Sequence, residues 1–269
     1  MKNIKYLFLR RVTQVTLLVL YFGANAYGWH ILEGTFGSSK LFGFIPLADP
    51  YTAIQVLATG FVLGADVLVG ALIITLFYMV IGGRAFCSWV CPINLVTDLA
   101  NWLRRKLNLD KQEVNYRFIK RKARYWIMVL GIIVSAVVGV AAFEVLSPIT
   151  IMQRGIIFGF GAGISVVIAI FLFDLFGVKN GWCGHLCPLG AAYSLIGKNS
   201  IIRVDHNHEN CTNCMKCKIV CPENHVLHMI NKKSIMVTDA ECTNCGRCID
   251  VCDDDALKFS IRSFIKNKK

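Results

Sequence analysis

The sequence has no Cys-x-x-Cys-His motif, which excludes covalent c-type haem. It also has no glycine-rich dinucleotide or phosphate loop between a strand and a helix, so nothing points to bound NAD, flavin or ATP. Acid is scarce, with 17 Asp and Glu against 29 Lys and Arg, a net charge of +12. That excess does not indicate nucleic acid, because the basic residues flank apolar runs and are not interleaved with base-stacking aromatics. Finally, no cysteine is left over: all twelve fall into spaced patterns.

What the chain does have is apolar surface. Of its 269 residues 55% are hydrophobic and its mean hydropathy is positive, more than a soluble core can bury. Four runs approach the roughly 20 apolar residues needed to cross a hydrocarbon core: Val12 to Trp29, Ile54 to Gly82, Tyr125 to Leu146 and Gly155 to Phe176. Charge alternates between them. Lys2, Lys5, Arg10 and Arg11 precede the first run with no acid, whereas His30 to Thr52 has only Lys40 against Glu33 and Asp49. Gly83 to Arg124 holds ten Lys or Arg against Asp98, Asp110 and Glu113, and the link after Leu146 has only Arg154. The positive-inside rule then predicts a multi-pass domain in a bacterial inner membrane with both termini cytoplasmic. Arg10, Arg11 and Ala24-Asn25-Ala26 also fit a cleavable signal, whose removal leaves the later topology unchanged.

Eight cysteines form two runs of the bacterial ferredoxin spacing, Cys211, Cys214, Cys217, Cys221-Pro222 and Cys242, Cys245, Cys248, Cys252. Three close cysteines hold three irons of a cubane and the fourth ligand comes from the partner run. The expected ligand sets are therefore Cys211, Cys214, Cys217 and Cys252 for one 4Fe–4S cluster, and Cys242, Cys245, Cys248 and Cys221 for the other. Zinc seldom takes two identical four-cysteine runs, and disulfides do not suit a cytoplasmic site. Asp253 stands where the run leads one to expect proline, followed by Asp254 and Asp255, and added negative charge is expected to lower that cluster's potential. His206, His208, His225 and His228 read as surface histidines of a polar loop.

The remaining cysteines form Cys87-Ser-Trp-Val-Cys91-Pro92 and Cys183-Gly-His-Leu-Cys187-Pro188. Each follows a matching upstream segment, Pro50-Tyr51-Thr52 with Gln55 and Pro148-Ile149-Thr150 with Gln153. The offsets are 98 residues at the prolines and 96 at the cysteines, so the membrane part reads as two tandem helix pairs of one orientation. That symmetry predicts convergence of Cys87, Cys91, Cys183 and Cys187 on the cytoplasmic face, where they can share a soft metal or a further iron–sulfur centre. Each pair is expected one helical turn apart on one face, with proline ending the helix. Gly155, Gly159, Gly161 and Gly163 suggest a close-packing face.

Ionisable groups in spans are functional candidates by default. Asp66 and Glu144, with His30 and Glu33 of the first outer loop, are the candidate proton acceptors for an oxidised quinol; Asp174 reads as a helix-end acid reaching for water. The expected fold is thus a four-helix membrane domain over residues 1–197 and a small α+β ferredoxin domain with two 4Fe–4S clusters over 198–269.

Four helices, paired Cys-x-x-x-Cys-Pro motifs at Cys87 and Cys183, and ferredoxin runs from Cys211 and Cys242 together resemble the NapH family. These are ferredoxin-type quinol dehydrogenase membrane components of periplasmic nitrate reductase systems. The resemblance implies electron withdrawal from menaquinol or ubiquinol and transfer, with a periplasmic iron–sulfur partner called NapG, toward nitrate reductase. The alternative is a copper-handling maturation factor similar to the cupric reductase family, in which the paired cysteines would bind copper.

Overall fold

The computed structural model describes residues 4–109, 121–159, 161 and 163–262; part of the basic stretch after the second apolar run lies outside the described residues. α1 (Lys5–Tyr27) is unbroken. Strands β1 (Leu32–Gly34), β2 (Ser38–Leu41) and β3 (Ile45–Ala48) then form an antiparallel meander. Next come α2 (Pro50–Ala58), α3 (Ala65–Ile81), α4 (Ala85–Trp89), α5 (Ile93–Lys106), α6 (Ala123–Val138), α7 (Ala142–Leu146), α8 (Pro148–Phe158) and α9 (Ile164–Phe176). A π turn at Trp182–Leu186 leads into α10 (Pro188–Ile196). The last part contains β4 (Ile202–His206), α11 (Lys216–Val220), α12 (Arg247–Asp250) and β5 (Leu257–Ile261).

This corrects the expectation of four unbroken spans. Among the described residues only α1 is long and apolar enough by itself to cross a membrane. The second run divides into α2 and α3, the third into α6 and α7, and the fourth runs through α8 and α9. Glycines in the left-handed region mark the breaks: Gly60 at φ 83, Gly139 at φ 77 and Gly159 at φ 92. An average of hydropathy does not register them, since glycine interrupts a helix through its backbone freedom and not its polarity. The 17-residue α3 is about 25 Å long, short of a hydrocarbon core of about 30 Å. The proposed glycine face is corrected too. Gly159 and Gly161 lie between α8 and α9, and the close approach is at Gly163, where an added Cβ would sit 2.7 Å from Ile151 Cγ2.

The duplication is visible in local structure. α2 and α8 both begin at proline, whose fixed φ suits the first helical position. Asp49 caps α2 by accepting from Thr52 N at 2.8 Å.

The described chain divides into two compact units, drawn differently from the expected boundary at residue 197. One comprises the start of α1 as far as Thr13, Phe77–Val90 and the chain from Tyr193; the other comprises Gln14–Leu76 and Cys91–Ala192. The first has a core of Val204, Val226, Leu227, Met229, Ile230, Val237 and Leu257 packed with Cys217, Cys221 and Cys248. Its two strands pair antiparallel, Ile202 opposite Ile261.

Candidate iron–sulfur centres

The two cysteine runs fold alike because equivalent residues turn the backbone the same way. Asn213 and Asn244 have φ 59 and 46, and Met215 and Gly246, which cap α11 and α12, have φ 58 and 72. Asparagine and glycine adopt this left-handed region readily, and alternating it with ordinary backbone curls a loop so that its N–H groups can face an anionic guest. One cavity is lined by Cys242, Cys245, Cys248 and Cys221. A second is lined by Cys211, Cys214, Cys217 and Cys252. Each cavity thus gathers three cysteines of one run and the fourth of the other, a donor set that fits a 4Fe–4S cubane. Burial pushes the Cys217 thiol up to about 11 and raises Cys248 well above its ordinary value. Loading with metal therefore has to displace protons.

The loop of the second run is held to the helix that carries Cys87. Ser88 Oγ donates to Thr243 O at 2.8 Å and Trp89 Nε1 to Asn244 O at 3.0 Å, so both residues after Cys87 bond to carbonyls between Cys242 and Cys245. Arg84, three residues before Cys87, donates from Nη1 to Glu223 Oε1 and to Glu241 O, both at 2.9 Å. Arg84 and Glu223 are 1% and 2% exposed, an ion pair inside the unit's core. Asn244 Nδ2 donates to Ile81 O and Ile202 O, closing the same clasp.

Neither paired-cysteine motif is the single helical turn expected. Cys87 lies within α4, but Cys91 follows the helix end at Val90. Cys183 lies in the π turn, and Cys187 is extended at ψ 112. The cause is the following proline, which excludes the preceding residue from the α region and so takes each second cysteine off the helix. Cys91 and Cys187 are buried, Cys87 and Cys183 half-buried. In the second motif the turn is braced at its start and its middle. Arg124 Nη1 donates to Gly184 O at 3.4 Å, and Asp174 Oδ1 accepts from Trp182 N at 3.0 Å. Asp174 is fully buried, so the expectation that it reaches for water is corrected. Cys91, Cys183 and Cys187 belong to one unit and Cys87 to the other.

The four candidate proton acceptors fall into two groups. His30 Nδ1 contacts Glu33 Oε1, Glu33 is paired in register with Lys40, and Lys40 Nζ lies 3.9 Å from Asp66 Oδ2. Asp66 sits exposed in the first turn of α3, where the helix dipole favours an acid. Glu144, half-buried in α7, is elsewhere: its Oε2 accepts from Thr52 Oγ1 at 3.2 Å and its Oε1 from Thr150 Oγ1 at 3.0 Å. Those threonines are equivalent in the two repeats. Gly37 makes room here, since an added Cβ would lie 2.7 Å from Glu144 Oε1.

The histidine expectation also changes. His206 is buried with Nδ1 against Lys233 O at 3.0 Å. His225 Nε2 lies 2.9 Å from Glu241 Oε2, and its Nδ1 lies 3.8 Å from Glu223 Oε2. No periodic signal in the sequence reveals that cluster, because its members come from separate loops.

Fold and cysteine cavities together define a ferredoxin-type iron–sulfur protein. Two comparisons agree with this. The family described as "4Fe-4S binding domain" matches twice, over residues 63–110 and 159–204, once on each repeat, and the "4Fe-4S dicluster domain" matches 203–253. Ferredoxin-type protein NapH of Escherichia coli is 42% identical over 262 residues, covering 96% of this chain and 90% of that protein. NapH of Haemophilus influenzae is 44% identical, with the same coverages. The methylamine utilization ferredoxin-type protein MauN of Methylorubrum extorquens is 44% identical over 83% of this chain and 77% of its own length. No solved structure matches. The chain belongs to the NapH family of ferredoxin-type proteins.

Proposed function

We propose that this electron-transfer protein takes electrons from quinol in a bacterial inner membrane and hands them, with a NapG-like periplasmic iron–sulfur partner, toward a periplasmic reductase such as nitrate reductase. The observation that carries this reading is the clasp of Ser88, Trp89 and Arg84 on the loop between Cys242 and Cys245. It ties a motif of the duplicated apolar part to a cluster cavity. Two clusters are held, one by Cys211, Cys214, Cys217 and Cys252, the other by Cys242, Cys245, Cys248 and Cys221. When bound, 4Fe–4S clusters take electrons singly, so a quinol's two electrons are divided between acceptors and its two protons go elsewhere.

The protein's own residues supply the rest. Glu144 is the nearest thing to a prepared proton acceptor, a half-buried carboxylate oriented by two hydroxyls. His30, Glu33 and Asp66, strung along Lys40, form a second, separate set of acceptors. α1 and the broken helices α2–α3, α6–α7 and α8–α9 make the four crossings, with both termini cytoplasmic. Non-helical backbone at the breaks is tolerable at membrane depth where protein or a water-lined cavity covers it. Cys87, Cys91, Cys183 and Cys187 are the candidate holders of a further metal or iron–sulfur group.

The similarity to MauN favours a second reading of the acceptor, in which the same device serves a redox enzyme other than nitrate reductase. Membranes containing the protein, given quinol anaerobically, should show cluster reduction in the visible and paramagnetic resonance spectra. Clusters that dithionite reduces and quinol does not would refute the proposal.

A further inference from the structure

Gln55 and Gln153 mark equivalent places in the two repeats, each three residues after the threonine that donates to Glu144. Three residues apart on a helix is one face, so each glutamine stands one turn along α2 or α8 from its threonine. Both are buried, at 0% and 2% exposure.

Their amide orientations are fixed by chemistry. Gln55 Oε1 accepts from Phe143 N at 3.0 Å and from Ser135 Oγ at 3.2 Å, and Gln153 Oε1 accepts from Phe36 N at 3.1 Å. A backbone N–H can only donate, so the bonded atom is oxygen in both cases and neither amide can be turned round. The opposite end of each is therefore an NH₂ group. Among the described residues neither Gln55 Nε2 nor Gln153 Nε2 has a hydrogen-bond partner, although both are buried. Leaving a buried donor unpaired is costly, and native proteins do so rarely. Here it happens twice, at equivalent positions of the two repeats, each one turn along its helix from a threonine that donates to Glu144.

We infer that Gln55 and Gln153 donate to the oxygens of a quinol head group whose hydroxyl proton passes to Glu144; this rests on the quinol reading above. The polarity of the groups selects the ligand. Amide N–H donors repel a cation, and the Glu144 carboxylate repels a phosphate or carboxylate. A phenolic hydroxyl accepts from an amide through its lone pair and donates to a carboxylate through its hydrogen, which meets both needs at once. Oxidation breaks the quinol O–H bonds, sends one proton to Glu144 and the other to water, and leaves the two carbonyls still able to accept from the amides. The electron pair goes to the clusters of the proposed function.

The test uses the purified full chain with a short-chain quinone, its binding measured by calorimetry, and the matching quinol, its oxidation measured by cluster reduction. Gln55→Met and Gln153→Met keep length and remove the donor. Each should weaken quinone binding and raise the quinol KM on the order of tenfold, as expected for one lost hydrogen bond, with iron content and the dithionite-reduced spectrum unchanged. If a Met variant loses iron, Gln55→Glu and Gln153→Glu are measured in its place, since they keep the oxygen that accepts from Phe143 or Phe36; they too should bind quinone at least tenfold more weakly. Wild type that binds and oxidises quinol while the variants match it would overturn this inference and leave the proposed function standing, the amides then holding only buried water. Wild type that neither binds quinone nor is reduced by quinol overturns both.

Discussion

Replacing Arg84 by Met tests whether the clasp on the second cysteine run is structural. The substitution removes the 2.9 Å partner of Glu223 and the donor to Glu241 O, at a carboxylate that is 2% exposed. Breaking a buried pair by removing one member costs about 3–5 kcal/mol, because the surviving charge is stranded away from water. Because cluster loss is irreversible, that destabilisation is read as a rate. If it falls mainly on unfolding, bleaching in urea accelerates between about a hundredfold and several thousandfold. The double variant Arg84→Met, Glu223→Gln removes both charges and should recover most of the loss, since replacing a buried pair altogether is often neutral. The assay is anaerobic bleaching of the visible cluster absorbance of the detergent-solubilised chain at fixed urea. A single variant bleaching within threefold of wild type, or a double variant less stable than the single, would refute the reasoning.

Three further outcomes follow from the same geometry. Ser88→Ala and Trp89→Phe each remove one hydrogen bond to the loop between Cys242 and Cys245, at about 1 kcal/mol each; potentiometric resonance spectra should show one cluster signal altered and the other unmoved. Asp253 is bonded to Lys216 Nζ at 2.6 Å and Asp254 accepts from Thr212 Oγ1 at 2.6 Å, so the acidic run after Cys252 is partly offset. Lys216→Met should therefore lower the potential of the cluster near Cys252 and Asp253→Asn raise it; redox titration showing equal signs would count against this. The Cys217 thiol is raised by burial from 9.0 to about 11, so between those values the folded chain without metal binds more protons than the unfolded one. Stability of the iron-free protein should then fall as pH rises from about 9 to about 11, while the iron-loaded form, its thiolates already deprotonated, lacks that slope. Thermal melts across the range check the difference.

The cysteine cavities were legible because ligand spacing is written in covalent sequence, and the exchange of fourth ligands follows from the length of each run. The repeat was legible for the same reason, through Pro50 and Pro148, Thr52 and Thr150, Gln55 and Gln153. Helix continuity was not: glycines at positive φ interrupt apolar stretches without changing their hydropathy. Nor was the offset of Cys91 and Cys187 from their helices, although the proline after each contained it. The meander at Leu32–Ala48 was hidden by strands of three or four residues, too short to display a period of two. His225, Glu223 and Glu241 come together only in the folded chain, as does the meeting of both threonines on Glu144.

The two cysteine turns also differ in what holds them. The first is bonded, through Ser88 and Trp89, to a cluster loop; the second is braced by Arg124 and Asp174. The two copies have therefore diverged at the residues between their cysteines: Ser88 and Trp89 make the first copy part of a cluster's surroundings, so a change at either is expected to be felt at that cluster.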